Sequence, residues 1–325
     1  MSAMIRGYWI SQVVGTLAKL AIPDQLAAGP RSVDDLASRI GCDPEATARL
    51  LRAASALGLV SKTQEDRFVL TDLGELLADI PGSLRDSAIA LTAPGHWLPW
   101  GRLADAVRSG ERQAPSVLRG ELFHYYAEHP AEGRAFTGAM SASSSFIADE
   151  IARALDISFA RVVVDVGGAS GIIIGALIAR NPDLEGILLE RPDVVPRARA
   201  AIAGSGLSQR CSVVAGDFFQ EVPRADVYIL KYIIHDWDDE QGTKILGNCA
   251  RGLRKGGRVV LIERIFEEGE TFRDSALMDL NMLVLLPGRE RSESQYGELL
   301  NRAGLRLDRI VRTSSPLSII EASAR

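Results

Sequence analysis

The chain has 325 residues, a length that exceeds one ordinary hydrophobic core and predicts two domains. Its 37 basic and 42 acidic residues give a net charge of -5, which argues against a surface that neutralises nucleic acid or anionic lipid. Three scattered cysteines without C-x-x-C spacing predict neither a disulfide framework nor a zinc site and are typical of a reducing cytoplasm.

The first segment, residues 7–20, carries the polar residues Gln12 and Lys19 within an otherwise mixed apolar run. This pattern predicts an amphipathic helix and not the core of a signal peptide. No stretch of the sequence approaches the roughly 18 consecutive apolar residues that a membrane span needs. We therefore expect a cytoplasmic protein without a membrane partner.

Residues 32–77 predict a winged helix, which is a pair of helices, a hairpin and a further helix. Ser32, Asp43 and Thr71 each stand before a helical run and are suitable N-caps. The polar turn at residues 63–66 separates two short strand candidates. The pattern from helix to helix is complete within one small domain, which we expect to span residues 1–95.

A winged helix invites a DNA-binding hypothesis, and the second helix is the one that would enter the groove. That helix, residues 45–57, has only Arg49 and Arg52 as cations and is otherwise small and apolar. Its apolar surface is better suited to packing against another subunit. We expect a homodimer with no nucleic-acid partner, and a DNA-binding regulator is the non-enzymatic alternative.

Residues 83–155 predict consecutive helices with aromatic-rich corners. We expect a helical linker over residues 96–155 that contributes to a substrate pocket. Met140 lies in a stripe with Phe136 and Phe146 at near-helical spacing. Such a stripe is also typical of plain hydrophobic core, so the pattern alone leaves both interpretations open.

After Phe159 the sequence alternates between strands and helices, which predicts an α/β fold with a doubly wound, Rossmann-like parallel sheet over residues 156–325. The strand candidates are residues 161–165, 186–190, 211–215, 225–234 and 258–263. Two late strands are expected at residues 305–311 and 317–321.

A glycine-rich turn, DVGGASG from Asp165 to Gly171, lies between the first strand and the first helix of this sheet. Gly167 and Gly168 allow a tight turn in which a ligand contacts bare backbone near a helix N-terminus. The spacing does not match the G-x-G-x-x-G dinucleotide fingerprint. It resembles the D-x-G-x-G-x-G loop of class I S-adenosylmethionine-dependent methyltransferases, with Ala169 in place of the middle glycine.

The next two strand ends carry side chains that suit a nucleoside. Glu190 ends the second strand, and a carboxylate there can accept both hydroxyls of a ribose. Asp217 and Phe218 follow the third strand and offer a carboxylate for an exocyclic amine and an aromatic face for an adenine ring. Three successive strand ends thus predict a nucleoside cofactor, although each side chain alone would pass for a strand cap.

The fourth strand candidate opens into a loop at His235. An imidazole titrates near neutrality, and at the carboxyl edge of a parallel sheet it can take a proton from a bound substrate. Position alone also fits a surface or helix-capping histidine. We expect Asp236 to cap the helix that begins near Asp238, which leaves it outside the chemistry.

Three stretches carry a specific resemblance: KYIIHDW at residues 231–237, KGGRVVLIE at 255–263 and PGRERS at 287–292. Together they resemble the plant caffeate and bacterial antibiotic small-molecule O-methyltransferases. The resemblance spans nearly the whole chain, including the winged-helix dimerisation domain. It implies methylation of an aromatic or polyketide-type hydroxyl with S-adenosyl-L-methionine as the cofactor, and we expect no metal ion.

The same resemblance assigns roles to individual side chains. It implies that His235 accepts the proton and that Glu263 and Glu290 bracket it. The expected cofactor site comprises Asp165, Gly167, Gly168, Gly171, Glu190, Asp217, Phe218 and Lys231. The residues at the family's substrate-pocket positions are Met140, Asn281 and Met282.

The chemistry agrees with these roles. A sulfonium methyl transfers by in-line displacement to a partly deprotonated nucleophile, whereas a phenol has a pKa of about 10. A nearby imidazole narrows that gap, and either Glu263 or Glu290 can orient the ring and stabilise the imidazolium. A related scaffold recruited for hydroxylation, decarboxylation or pericyclic chemistry stays open as the enzymatic alternative.

Overall fold

The computed structural model describes two stretches of the chain, residues 1–269 and 272–325. The chain folds as two units, the first formed by residues 1–98 and 125–142 and the second by residues 99–124 and 143–325. The helical linker expected over residues 96–155 is thus divided between the two units. No helix within the described stretches is long and apolar enough to cross a membrane.

The chain up to residue 154 is mainly helical, and its two short strands pair antiparallel. In chain order the elements are α1 Ser2–Ile5, α2 Gly7–Lys19, α3 Ile22–Ala27, α4 Val33–Ile40, α5 Pro44–Ala56, β1 Val60–Lys62, β2 Phe68–Leu70, α6 Asp72–Glu75, α7 Arg85–Thr92, α8 Pro94–Trp100, α9 Leu103–Ser109, α10 Ala114–Leu118, α11 Leu122–Glu128 and α12 Pro130–Ala154. The run from α4 to α6 has the order of the expected winged helix.

The three expected N-caps are formed. Ser32 accepts the backbone N–H three residues further on at 3.3 Å, Asp43 does so at 2.8 Å and Thr71 at 3.1 Å. Each such cap contributes roughly 1 kcal/mol because it satisfies a helix N–H that has no partner within the helix. Because these hydrogen bonds join residues only three positions apart, the starts of the helices could be predicted from the sequence.

The rest of the second unit alternates strands and helices. Its elements are β3 Val162–Val166, α13 Ile172–Arg180, β4 Glu185–Glu190, α14 Val195–Gly204, β5 Cys211–Ala215, β6 Ala225–Lys231, a 3₁₀ turn Ile234–Asp236, α15 Asp239–Gly252, β7 Leu253–Arg264, α16 Phe272–Leu285, α17 Glu293–Arg302, β8 Leu305–Arg312 and β9 Leu317–Ala324. We call Ile234–Asp236 the His235 turn.

The strands form one seven-stranded sheet in the order β5-β4-β3-β6-β7-β9-β8. The first five are parallel, whereas β9 runs antiparallel to both of its neighbours. Only residues 313–316 separate β8 from β9, which is too short for a parallel crossover. The chain order reverses between β3 and β6, and open α/β sheets bind their ligands at the carboxyl edge beside such a reversal.

Both faces of the sheet are buried, which explains the nearly continuous apolar strand sequences. Along β6, Val227 and Ile229 pack on one face while Tyr228 and Leu230 pack on the other. Alternation along a strand therefore sends neighbouring residues into separate cores. In the parallel strands β3, β4 and β6 the charged side chains lie at or next to the strand ends, and the candidate site lies at the carboxyl ends.

β6 ends earlier than the sequence indicated. The apolar run predicted a strand to Ile234, but the strand stops at Lys231 because Tyr232 adopts a left-handed conformation with φ of 53°. The chain then enters the His235 turn. His235 consequently lies in a turn that folds back over the sheet edge and not at the last residue of the strand.

Candidate active site

The glycine-rich turn after β3 needs its unusual residues. Gly167 and Gly171 have φ of 68° and 74°, and a Cβ at Gly168 would overlap the carboxyl group of Asp165. Ala169 also has a positive φ, 55°, which costs an L-residue other than glycine about 1–2 kcal/mol. Replacement of the middle glycine by alanine has therefore left the turn's backbone shape intact at some cost in stability.

Glu190, at the end of β4, holds this turn in place. Its carboxylate is buried and accepts the N–H of Ala169 at 2.6 Å and the N–H of Arg191 at 3.0 Å. Burial raises the pKa of Glu190, and the two N–H bonds oppose that rise. A carboxylate has about four acceptor sites, so Glu190 keeps capacity for two further donors.

Asp165 is buried on β3, and Lys231 is half-buried on the adjacent strand β6. Burial and the charge of Glu190 raise the pKa of Asp165 to about 7, and its Oδ2 has no hydrogen-bond partner in the described chain. Burial lowers the pKa of Lys231 to about 8. Lys231 Nζ donates to Ser143 Oγ at 3.4 Å. Burial thus weakens both charges, and an orphaned carboxylate oxygen remains beneath the glycine-rich turn.

Aromatic rings follow β5. Phe218 is half-buried, and its ring centroid lies 5.0 Å from that of Phe219 and 6.1 Å from that of Trp237. Asp217 is exposed and accepts the N–H of Phe219 at 2.9 Å. The sequence pointed to Phe218 alone, whereas the structure places it in a group of three rings.

His235 is buried between a carboxylate, a second carboxylate and an aromatic ring. Its Nδ1 lies 2.9 Å from Glu290 Oε1, and its Nε2 lies 3.3 Å from Asp236 Oδ1. The Tyr232 ring stacks on the imidazole with centroids 4.8 Å apart and planes inclined by 17°. An ionised carboxylate only accepts, so Nδ1 carries the hydrogen and Nε2 is the position left for proton exchange.

The two candidate glutamates contact different parts of this turn. Glu263, at the end of β7 and fully buried, directs Oε1 to the backbone N–H groups of Ile233, Ile234 and His235 at 3.1, 2.9 and 3.4 Å. Glu290 contacts the ring itself, and its own N–H donates to Asp279 at 2.9 Å. Glu290 thus orients the imidazole, while Glu263 fixes the backbone beneath it.

Negative charge dominates the electrostatics of the His235 turn. Burial by itself lowers the pKa of His235, but Glu263, Asp236 and Glu290 outweigh it and raise that pKa to about 9. Burial raises the pKa of Glu263 to about 7 and that of Asp236 to about 6, and the histidine's charge opposes both rises. At neutral pH the imidazolium is therefore the favoured form in this cluster.

This arrangement of glycine-rich turn, strand-end acids and buried histidine can be compared with known proteins. Residues 100–306 match the family model of an O-methyltransferase domain, and residues 2–79 match that of an O-methyltransferase dimerisation domain. The chain belongs to the O-methyltransferase family. It is 35% identical to the phenazine O-methyltransferase PhzM of Lysobacter antibioticus over 98% of this chain and 94% of that protein.

Solved structures of O-methyltransferases superimpose over nearly the whole chain. The structure of the mitomycin 7-O-methyltransferase MmcR aligns with 100% of this chain over 96% of the MmcR chain, with a TM-score of 0.94 and 33% identity. NcsB1 from neocarzinostatin biosynthesis, in complex with S-adenosylmethionine and 2-hydroxy-5-methyl naphthoic acid, has a TM-score of 0.84 and 32% identity over 97% of this chain and 96% of its own. The predicted family, fold class and S-adenosylmethionine dependence are confirmed.

One prediction about the methyltransferase's site is wrong. The sequence indicated that Asp236 caps the following helix, but Asp238 is the cap and accepts the N–H of Gln241 at 2.8 Å. Asp236 is half-buried, and its Oδ1 lies 3.3 Å from the Nε2 of His235 instead. The 3₁₀ geometry of the turn, which no sequence pattern signalled, brings the two side chains together.

In the segment that covers the His235 turn, the sequence assigned a role to Glu290 but none to Gly288 or Arg291. Arg291 is fully buried and donates to the carbonyl oxygens of Ile234 at 3.0 Å and Trp237 at 2.7 Å. A Cβ at Gly288 would overlap the carbonyl oxygen of His235. The only signal was the motif PGRERS, in which a glycine for close approach and a buried arginine stand three residues apart.

The expected substrate residues fall into two places. Asn281 Oδ1 accepts the indole N–H of Trp100 at 2.8 Å, and Asn281 Nδ2 donates one N–H to Met278 Sδ at 3.8 Å, which leaves its second N–H as a donor. Met282 is buried on the same helix, α16. Met140 is half-buried in α12 and belongs to the first unit. Trp100, which the sequence did not associate with Asn281, determines which end of that amide can contact a ligand.

The structure also shows the state of the cysteines and the placement of side chains that could bind a metal ion. All three cysteines are free thiols. Within residues 1–269 and 272–325, no three His, Cys, Asp or Glu side chains are grouped as a metal ion would require. Metal-independent methylation stays a prediction.

Proposed function

We propose that this O-methyltransferase methylates a hydroxyl group of an aromatic or polyketide-type small molecule and that His235 is the general base. The observation that carries the proposal is the buried imidazole whose Nδ1 lies 2.9 Å from Glu290, at the sheet edge beside the glycine-rich turn. NcsB1, a structural relative, was solved with S-adenosylmethionine and a hydroxynaphthoic acid. A base that presents only Nε2 suits deprotonation of such a hydroxyl.

The residues after β3 and β4 fit the cofactor. Gly167 to Gly171 present bare backbone at the start of a helix, and Glu190 has acceptor capacity for ribose hydroxyls. Asp165 has a buried oxygen that has no hydrogen-bond partner in the part of the chain that the structure describes. We propose that these residues, together with Asp217, Phe218 and Lys231, hold S-adenosylmethionine. When bound, that cofactor supplies a methyl group on a positively charged sulfur, which needs no metal to react.

The proton step follows from the charges around His235. Transfer from a phenol with a pKa of about 10 to an imidazole with an ordinary pKa of 6.5 costs about 5 kcal/mol. With the His235 pKa at about 9, the same transfer costs about 1 kcal/mol. The buried carboxylates stabilise the imidazolium as it forms because charge interacts more strongly away from water. Glu290 and Asp236 thus strengthen the base and also keep it mostly protonated at neutral pH.

The remaining contribution of the chain is positioning. Glu263 binds three N–H groups of the segment that carries His235, and Arg291 binds two of its carbonyl groups. Rigid placement of a base and a nucleophile lowers the barrier because the entropy is already lost before reaction. We propose that Asn281 and Met282 contact the acceptor, and that Asn281 uses the second N–H of Nδ2 to donate to one of its oxygens.

We further propose a cytoplasmic homodimer that pairs through residues 1–95. The match to a dimerisation domain over residues 2–79 supports this assembly. Large apolar side chains are exposed in this region, where a monomer would leave them in water. They include Met4, Ile5, Tyr8, Trp9, Ile10, Leu73, Leu76 and Ile80.

The test measures release of S-adenosylhomocysteine with a panel of phenolic acceptors. Replacement of His235 by alanine is expected to lower kcat by about 10²- to 10⁴-fold, the usual contribution of a general base. Calorimetric affinity for S-adenosylhomocysteine should stay within about threefold. The control is His129→Ala, which changes an exposed histidine of the first unit and should leave kcat unchanged. Unimpaired turnover in His235→Ala would refute the base; binding of S-adenosylhomocysteine without any turnover would favour a scaffold recruited for other chemistry.

A further inference from the structure

Arg264, the last residue of β7, is the neighbour of Glu263 but has no part in the proton step or the cofactor site. Its Nε and Nη1 atoms are buried and have no hydrogen-bond partner among the residues that the structure describes. Buried N–H groups in folded proteins are nearly always paired, because an unpaired donor loses its water without compensation. An arginine left in this condition at a sheet edge indicates that a ligand supplies the acceptor.

The position of Arg264 links it to the catalytic turn. Burial raises the pKa of the Tyr232 hydroxyl to about 12, and the positive charge of Arg264 beside it opposes that rise. The other end of the same residue is the ring that stacks on His235 with centroids 4.8 Å apart. The guanidinium therefore lies at the hydroxyl end of the ring that covers the imidazole, about one aromatic ring away from it.

The chemistry of this pair selects an anion. A guanidinium presents N–H groups in a planar fork that matches the two oxygens of a carboxylate, and such charged pairs are stronger than neutral hydrogen bonds. The Tyr232 hydroxyl adds a donor that stays protonated. The carboxylates of Glu263 and Glu290 also act on Tyr232, so an anion at this position needs the charge of Arg264 to offset their repulsion.

We propose that Arg264 and Tyr232 form a carboxylate subsite and that the acceptor is an aromatic hydroxy acid. The hydroxyl meets His235 while the carboxylate on the same ring system meets Arg264. This inference rests on the proposed function and specifies its substrate class. A carboxylate also occurs on the methionine part of the cofactor, and the experiment below separates the two sources.

The experiment measures binding by calorimetry, which does not depend on turnover. The probes are 2-hydroxy-5-methyl naphthoic acid and its methyl ester, each titrated into enzyme saturated with S-adenosylhomocysteine. Arg264→Gln removes the charge, Arg264→Lys keeps it without the fork, and Arg306→Gln changes an exposed arginine as the matched control. Affinity for S-adenosylhomocysteine alone is measured for every variant, together with thermal melting to verify folding.

Wild-type enzyme should bind the acid more tightly than the ester. Arg264→Gln should weaken binding of the acid by about 10- to 100-fold and that of the ester by less than about threefold, because only the acid uses the charged pair. Arg264→Lys should recover part of the loss, and Arg306→Gln should match wild type.

Three results would overturn the subsite. Equal losses for acid and ester would show a general packing role, and a loss confined to S-adenosylhomocysteine would assign the subsite to the cofactor's carboxylate. A wild-type enzyme that binds neither probe, yet binds S-adenosylhomocysteine, would refute the aromatic-acid class. Failure of the proposed function has a different signature, because it shows as intact acid binding with no dependence of turnover on His235.

Discussion

Two groups of ionisable side chains lie at the carboxyl edge of the sheet, and burial opposes the charged form in both, but the net pKa shifts differ. Beside the glycine-rich turn, burial moves Asp165 and Lys231 toward their neutral forms, with pKa values of about 7 and 8. In the His235 turn, burial opposes the charged imidazole, yet its pKa rises to about 9. The difference lies in the balance between burial and charge: Glu263, Asp236 and Glu290 outweigh the burial of His235, whereas Glu263 and Asp165 do not outweigh the burial of Lys231.

This contrast suits the two tasks. The side chains beside the glycine-rich turn can respond to the charges of a bound ligand, because a nearby opposite charge favours the charged form of a group. A base must have a pKa near that of the hydroxyl that it deprotonates. The two groups meet at Lys231, because Glu263 raises its pKa and its Nζ lies 4.4 Å from the centroid of the Tyr232 ring, so each group is best perturbed at a residue away from Lys231. The largest effect is expected from a change that displaces the His235 turn, and the smallest from a change within the glycine-rich turn.

Gly288→Ala should lower kcat by displacing the His235 turn, without changing the binding of the cofactor, and it should have the largest effect. Because the added Cβ would overlap the carbonyl oxygen of His235, the turn must move, and a misplacement of about 1 Å can cost roughly 100-fold in kcat. The control is Gly297→Ala, where the nearest atom to the new Cβ is 3.8 Å away. Both variants should bind S-adenosylhomocysteine like wild type; normal kcat in Gly288→Ala would show that the turn is not held as described.

Glu190→Gln should weaken the binding of the cofactor without displacing the His235 turn. An amide has one acceptor oxygen, so it cannot serve both the Ala169 and Arg191 N–H groups and ribose hydroxyls as a carboxylate does. We expect calorimetric affinity for S-adenosylhomocysteine to fall about tenfold or more. Glu185→Gln, at the exposed opposite end of the same strand, is the control and should bind normally. Equal affinity in both variants would contradict the role of Glu190.

Ala169→Gly should relieve backbone strain in the glycine-rich turn, and it should have the smallest effect. Glycine tolerates the φ of 55°, so the substitution is expected to raise the free energy of unfolding by up to about 1 kcal/mol. Ala203→Gly in helix α14 should lower it by roughly 0.5–1 kcal/mol, since the same change is unfavourable in a helix. Chemical denaturation of both variants checks the opposite signs. A loss of stability in Ala169→Gly would contradict backbone strain at this position.

The residues in and beside the glycine-rich turn were easier to predict from the sequence than those around His235, because the patterns that indicate them are local. Gly167, Gly168 and Gly171 follow one strand, and Glu190 ends the next. Each position is dictated by backbone geometry within a few residues, and the order of strands in the chain fixes the order of ligand groups at the edge. The antiparallel orientation of β9 follows from the short connection before it.

The surroundings of His235 were predictable only in part, because its contacts join residues that are far apart in the sequence. Glu290 lies 55 residues after His235, and spacing alone did not decide whether it or Glu263 contacts the ring. Asp236 was assigned to the next helix because a 3₁₀ turn has no sequence signature comparable to a capping box. Sequence gives no sign of the state of Arg264, because two of its buried nitrogen atoms are identified only by having no hydrogen-bond partner among the described residues.

The pH dependence of kcat/KM tests the central claim most directly. A general base works unprotonated, so a raised pKa predicts activity that increases with pH; about one molecule in a hundred has free base at pH 7 if the pKa is about 9. Glu290→Gln removes a charge that raises this pKa, so the rising limb should move to lower pH while kcat falls by about tenfold. Ionisation of the acceptor itself would not respond to Glu290. A limb that keeps its position in Glu290→Gln would contradict His235 as the base of this enzyme.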